Sequence, residues 1–152
     1  PRRSLEDDHF AARRRNEWSS PGEMYERFKG RPPFNSWDPE VLRDYCEYGL
    51  LPNPGGAGYV LACPPNVEAA TYAAAMATDI YPAIESLTIP VRILRARQRA
   101  EGGPPDMSSS PTAPDLASHF QHAEDVFLPQ YSHFIPMEDP GFMARQVLEM
   151  LA

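Results

Sequence analysis

Eighteen prolines among 152 residues limit the length of every helix and strand that this chain can form. Proline lacks a backbone donor and restricts the residue before it, so regular elements end close to it. The prolines are spread along the chain, with proline-containing breaks at residues 31–34, 51–56, 63–65, 89–90 and 101–106. We therefore expect short elements joined by turns. The sequence contains no internal repeat.

The second half of the chain predicts two strands separated by a helical crossover. The best strand is the run 89–96, and a second short apolar run spans 124–128. A helix is expected near 114–120, and Asp139 followed by Pro140 is typical of the start of a further helix. Two strands joined in this way should lie parallel and adjacent. Because a two-stranded parallel sheet is too small for an independent core, either further strands are supplied from elsewhere or the chain is a piece of something larger.

The first half is predicted to be mainly helical and rich in aromatic residues. Ser20, Pro21 and Glu23 form the pattern of a helix start, with a serine cap, a proline in the first turn and an acidic residue. The remaining expected elements are helices over 5–16, 38–48, 68–80 and 81–87 and a short extended segment at 59–63. Gly49 is expected to be the C-cap of the helix over 38–48.

His133 is the candidate catalytic residue. It follows the predicted strand 124–128 and precedes the helix that begins at Asp139, so it lies on a strand-to-helix loop. In α/β proteins such loops, at the carboxyl ends of the strands, carry the chemistry, and a histidine there can act as a general base. The alternative is an ordinary surface or capping histidine.

The other histidines are poorer candidates. His9 lies in a charged helix, and His119 and His122 flank a helix terminus, where a cation near the helix dipole is a sufficient explanation. His119 and His122 are three residues apart but have no convincing further ligands, and no His or Cys pair has metal-ligand spacing. We expect neither a metal nor a cofactor.

Composition limits the class of partner. The formal net charge of −7 and the pI near 5.0 argue against nucleic acid or an anionic membrane as the main partner. The sequence has no apolar run of about 18 residues and no signal-peptide pattern, so we expect a soluble, cytoplasmic protein. Cys46 and Cys63 fit no metal pattern and are expected to be free, mostly buried thiols in a reducing compartment.

Several segments, in the same order along the chain, resemble the C-terminal half of an α/β-hydrolase. The segment 132–140 is similar to the histidine loop and last helix of that family, 90–96 to its penultimate core strand, and 63–72 to the return from its cap. Residues 13–50 resemble its helical lid. The resemblance implies a lid or cap over 1–72 and a core over 73–152 with two parallel strands and flanking helices. One departure is Ser132, where the family usually has glycine.

The resemblance implies a triad of nucleophile, histidine and acid. His133 would be the base, and Asp106 is favoured as the acid because it precedes a turn-rich segment, with Glu101 or a residue upstream of Pro1 as alternatives. The nucleophile would sit in a G-x-S-x-G elbow, and no serine here has that spacing. We therefore expect an N-terminally truncated fragment that needs the N-terminal half of the fold, and homo-oligomer formation stays open.

Aromatic residues concentrated in the lid region allow two interpretations. Trp18, Phe28, Phe34 and Trp37 are either buried aromatic core or an apolar roof over the active site that binds substrate and excludes water. The roof favours a small apolar substrate and hydrolysis of a carboxylic ester or another acyl-type bond. Epoxide or carbon–halogen hydrolysis would need an upstream aspartate nucleophile.

Two hypotheses from other classes remain. The chain is alternatively a non-catalytic fragment or degenerate hydrolase that binds a small hydrophobic ligand or a partner chain. A small helical domain without a site is the third hypothesis, and it leaves the ordered agreement of strand, loop and histidine unexplained.

Overall fold

The computed structural model describes residues 9–75, 79–100 and 108–151. The α-helices in these ranges are α1 (Pro21–Phe28), α2 (Pro39–Tyr48), α3 (Pro65–Ala75), α4 (Tyr81–Glu85), α5 (Ile135–Glu138) and α6 (Pro140–Leu151). The strands are β1 (Glu17–Trp18), β2 (Leu50–Pro52), β3 (Tyr59–Leu61), β4 (Val91–Ala96) and β5 (Ala123–Leu128). Short 3₁₀ helices cover Phe10–Arg13, Phe34–Ser36 and Leu116–His119. The chain divides into two compact units, Pro1–Asn35 with Pro39–Thr78, and Ser36–Asp38 with Asp79–Ala152.

The start of α1 confirms the cap predicted from the sequence. The Ser20 hydroxyl accepts a hydrogen bond from the Glu23 amide at 3.0 Å, and Pro21 occupies the first turn. The Glu23 carboxylate in turn accepts from the backbone amide of Ser19 at 2.9 Å. This bond, together with Arg15, lowers the pKa of Glu23 to about 2. Paired acceptors of this kind satisfy the amides that a helix start leaves without partners.

The first unit contains a three-stranded antiparallel sheet that the sequence did not predict. Its order is β1-β3-β2, with Trp18 opposite Tyr59 and Leu50 opposite Leu61. The predicted lid is therefore not purely helical. The expected helix over 5–16 lies outside the described residues for 5–8, and it is wrong for the rest, since a single 3₁₀ turn occupies Phe10–Arg13 and residues 14–16 are not helical. Strands of two or three residues are too short to show an alternating pattern, and their pairing depends on contacts far apart in sequence.

The second unit contains β4 and β5, which pair in parallel as predicted. Val91 lies opposite Ala123 and Ala96 opposite Leu128, so both strands end at the same edge. The helix expected near 114–120 is wrong in type, because only a 3₁₀ turn forms at Leu116–His119. Asp115 at its start makes no side-chain capping bond, so nothing there favours a longer helix.

The core of the second unit is formed by Ala96, Leu128 and Ile135, all buried, with a shell of partly buried residues against them: Leu94, Val126, Tyr131, Phe142 and Met143. Helix α6 begins as predicted, since the Asp139 carboxylate accepts from the Phe142 amide at 2.8 Å. The core thus joins the carboxyl ends of β4 and β5 to the start of the two last helices.

Both cysteines are free, with Cys46 buried and Cys63 exposed, so the expectation of buried thiols holds for one of them. Burial raises the pKa of the Cys46 thiol to about 11, which keeps it protonated and unreactive at neutral pH. In the part of the chain that the structure describes, no helix has the length and apolar character needed to cross a membrane.

Candidate active site

His133 lies in a turn five residues beyond Leu128, the last residue of β5, and just before α5. Its side chain is exposed, and its backbone amide donates to the Ser108 carbonyl at 2.7 Å. Among the described residues, none forms a hydrogen bond with the imidazole ring. The described part of the chain therefore leaves the ring nitrogens of His133 without a hydrogen-bond partner.

The ends of both strands and the segment from Ser108 onward meet at this loop. The amide of Arg97, the first residue after β4, donates to the Tyr131 carbonyl at 3.2 Å, and the Ser110 amide donates to the Arg97 carbonyl at 2.9 Å. The Arg97 guanidinium also donates to the Ser108 hydroxyl. These bonds hold the histidine loop against the carboxyl edge of the parallel pair, where the sequence predicted it.

Ser132, directly before the histidine, is 4% exposed and is bound by a carboxylate. Its amide donates to Glu138 Oε2 at 3.0 Å and its hydroxyl donates to Glu138 Oε1. Burial raises the pKa of Glu138, but the hydrogen bonds from Ser132 and from the Ser36 hydroxyl outweigh it and the net pKa is lowered. Sequence reasoning missed Glu138, because nothing in a linear sequence shows that α5 returns this side chain to the loop.

No described carboxylate serves as the acid partner of His133. Glu138 is bonded to serines, while Asp139 accepts from the Tyr131 hydroxyl and the Phe142 amide, both at 2.8 Å. The hydrogen bonds from this amide and this hydroxyl lower the pKa of Asp139. Its carboxylate is therefore already bonded to groups other than His133. The two acids named from the sequence, Asp106 and Glu101, lie outside the described residues.

One of the four predicted substrate-contacting aromatic residues lies near the histidine. The Trp37 ring packs against Phe134 with centroids 5.4 Å apart, and Phe134 lies 5.6 Å from the His133 ring. Trp37 is only 8% exposed, whereas Phe134 is half-buried. Phe134 is therefore the aromatic surface beside the imidazole, with Trp37 packed against it, and Phe134 was not among the residues predicted from the sequence.

The other three aromatic residues pack together within the first unit. Phe28 stacks on Phe34 with centroids 4.2 Å apart, and Trp18 meets Phe28 edge-on at 5.4 Å. The Arg15 guanidinium lies 4.2 Å above the Trp18 ring. This packing accounts for the aromatic composition of the unit, and the role of these rings as a roof over substrate stays a prediction.

Two of the remaining histidines have side-chain contacts. His9 accepts from the Ala11 amide at 3.3 Å and stacks on Tyr72, while His119 lies against Tyr81 with centroids 4.6 Å apart. Within residues 9–75, 79–100 and 108–151, no group of three or more His, Cys, Asp or Glu side chains is placed to hold a metal ion.

The fold is that of an α/β-hydrolase, consistent with its C-terminal half. The crystal structure of E-2-(acetamidomethylene)succinate hydrolase superimposes on 97% of this chain with a TM-score of 0.65 and 18% sequence identity. The match covers 50% of the neighbour's chain, so this chain spans about half of its length. No protein-family profile matches the sequence, and no curated protein is significantly similar to it.

Proposed function

We propose that this chain supplies the catalytic base of a hydrolase that cleaves an ester or related acyl bond of a small apolar substrate. His133 takes the proton of a nucleophile that lies outside this chain and later activates water or protonates the leaving group. The observation that carries the proposal is the position of the imidazole: exposed, without a hydrogen bond to any described residue, and on a loop bonded to the carboxyl edge of β4 and β5.

Asp106 is the proposed acid that holds the correct tautomer of His133 and stabilises the imidazolium. It precedes Ser108 by two residues in the sequence, and the Ser108 carbonyl accepts the His133 amide. Glu101, seven positions before Ser108, is the alternative, as is a residue upstream of Pro1.

The proposed substrate is apolar at the group next to the scissile bond. Phe134 provides an aromatic surface beside His133, and a surface of this kind binds apolar groups and excludes water. The structural neighbour is named for a substrate that carries an acetamido group, whose bond is also an acyl bond. We extend the bond class to this chain, and not the particular substrate.

The complementary half of the fold is proposed to cover apolar surface that the second unit leaves exposed. Helix α6 and the edge of β4 border an open groove of about 390 Å³ lined by Val91, Leu94, Val147 and Met150. Val147 is 54% exposed. Further strands and a helix from an N-terminal half would bury this surface, whereas a second copy of the chain is the alternative occupant.

The test uses the polypeptide that carries both this chain and the nucleophile, with p-nitrophenyl butyrate as the probe. We expect His133→Ala to lower kcat by about 10²- to 10⁴-fold, the usual contribution of a general base. His122→Ala, which changes another exposed histidine, is the matched control and should keep its activity. Full activity of His133→Ala would reject the assignment.

The acid is identified by a second pair of variants in the same polypeptide. Asp106→Asn should lower kcat strongly while Glu101→Gln leaves it unchanged, and the reverse pattern would transfer the role to Glu101. If neither variant changes kcat, the acid lies upstream of Pro1.

A non-catalytic binding module is the second candidate, and it would also explain the half-buried aromatic surface at Phe134. It requires an upstream region without a nucleophile elbow. In that case an apolar ligand would bind without turnover, and His133→Ala would leave its affinity unchanged.

A further inference from the structure

The carboxylate of Glu138 joins three donors from two separate segments of the second unit. Its Oε2 accepts from the Ser132 amide, and its Oε1 accepts from the hydroxyls of Ser132 and Ser36, the latter at 2.8 Å. Charge-assisted bonds of this kind are about twice as strong as neutral ones. A carboxylate that accepts three hydrogen bonds is fixed in position, and it also fixes Ser132 and Ser36, which donate them.

These bonds enclose the backbone on both sides of His133. Ser132 precedes the histidine, and its hydroxyl, while donating to Glu138, accepts from the Phe134 amide at 3.2 Å. The His133 amide is itself bonded to the Ser108 carbonyl. The backbone amides of Ser132, His133 and Phe134 are therefore all hydrogen-bonded, which fixes the backbone at His133. Among the described residues, none restrains its ring by a hydrogen bond.

The Ser132 hydroxyl makes two of these bonds, which a glycine at this position would lack. Glu138 needs the serine as a donor, and the Phe134 amide needs it as an acceptor. Ser132, which stands where the similar family usually has glycine, is thus part of the hydrogen-bond network around Glu138.

The same carboxylate fixes the aromatic segment behind the loop. Ser36 bonds to Glu138, the Asp38 amide donates to the Met137 carbonyl at 2.8 Å, and Trp37 between them packs on Phe134. Displacing the carboxylate would release both the histidine loop and the aromatic surface beside it.

We propose that Glu138 is a positioning residue that sets the place of the His133 imidazole through Ser132 and keeps the Trp37 segment against Phe134. The proposal rests on the catalytic role of His133 for its effect on rate, but not for its effect on the geometry of the loop. Glu138 touches no reacting atom, so it acts on kcat through orientation alone.

The first experiment records imidazole resonances of His133 by NMR in the polypeptide that carries both this chain and the nucleophile, together with amide exchange in β4 and β5. Glu138→Gln keeps the size of the side chain but replaces one acceptor oxygen with an amide group. We expect it to broaden or shift the His133 resonances and to speed exchange of the Ser132 and Phe134 amides, while exchange in the strands is unchanged. Glu47→Gln on the exposed face of α2 is the control and should change none of these signals.

The second experiment measures kcat and KM for p-nitrophenyl butyrate in the polypeptide that carries the nucleophile. Misplacement of a catalytic group by about 1 Å costs on the order of 10²-fold, so Glu138→Gln should lower kcat by about 10- to 100-fold with little change in KM. Ser132→Gly should lower kcat in the same direction, and Ser132→Thr, which keeps the hydroxyl, should restore it.

Unchanged His133 resonances in Glu138→Gln, or an unchanged kcat where His133→Ala is inactive, would overturn the positioning role. If His133→Ala is fully active, the catalytic proposal fails instead, and the NMR comparison alone decides whether Glu138 positions the loop.

Discussion

The Arg95–Asp125 ion pair across β4 and β5 is expected to be the strongest polar coupling in the second unit. The guanidinium meets the carboxylate through two bonds, Nε to Oδ1 at 2.5 Å and Nη2 to Oδ2 at 2.6 Å. The Arg95 side chain is 10% exposed and that of Asp125 is 28% exposed. The perturbations are Asp125→Asn, Arg95→Met and the double variant.

The difference in exposure between Arg95 and Asp125 determines how much unfolding free energy each variant should lose. Hydrogen bonds to charged groups contribute about 1.5–3 kcal/mol each, and loss of one partner of a buried pair costs more than loss of both. Asp125→Asn leaves the nearly buried guanidinium without its countercharge, so it should cost about 2–4 kcal/mol of unfolding free energy. Arg95→Met keeps the packing of the stem and lets water reach Asp125, so it should cost about 1–2 kcal/mol, and the double variant about the same.

Urea unfolding followed by circular dichroism measures these free energies and their pH dependence. The hydrogen bond from Arg95, reinforced by its charge, lowers the pKa of Asp125 below its ordinary value. Stability from the pair is therefore fully present above that ordinary value, near pH 4, and is lost as the pH falls through the lowered pKa. Arg95→Met should flatten this loss. Single-variant costs that add within about 0.5 kcal/mol in the double variant would refute the coupling.

Three further variants test the packing and the turns, each by urea unfolding. Ile135→Ala opens a cavity in the core of the second unit and should lower the free energy of unfolding by about 2–5 kcal/mol. The control Leu148→Ala, at an exposed position, should change it by no more than about 0.5 kcal/mol. Equal effects of the two variants would contradict the assigned core. Gly58 has φ +85°, and a Cβ at this position would lie 2.6 Å from the Trp18 carbonyl oxygen in β1. Gly58→Ala should therefore lower the free energy of unfolding by about 1–3 kcal/mol. The control Gly30→Ala should not destabilise the protein, because a Cβ at Gly30 would meet no atom within 4 Å. Ser20→Ala removes the α1 cap and should cost about 1 kcal/mol; no loss would mean that the cap is dispensable.

The elements that the sequence predicted correctly are those with a local physical cause. Ser20 and Asp139 cap helices through bonds to amides three residues away, and such bonds are readable in any short segment. The runs that became β4 and β5 each contain four apolar residues in six, and the rule for crossover connections predicts that they are parallel neighbours.

The errors concern elements whose existence depends on distant partners. Strand β1 has two residues and exists because Trp18 pairs with Tyr59, forty-one positions later. The charges over 5–16 and the short run near 114–120 suggested helices, but tertiary contacts override weak local propensity.

The sequence by itself determined that one histidine follows a strand at the carboxyl edge of a parallel pair, because apolar runs, prolines and helix caps act over a few residues. Only the tertiary structure decided what holds that histidine in place. Ser108, Glu138 and Ser36 come from three different parts of the chain, and hydrogen bonds between such parts form only after the backbone has folded.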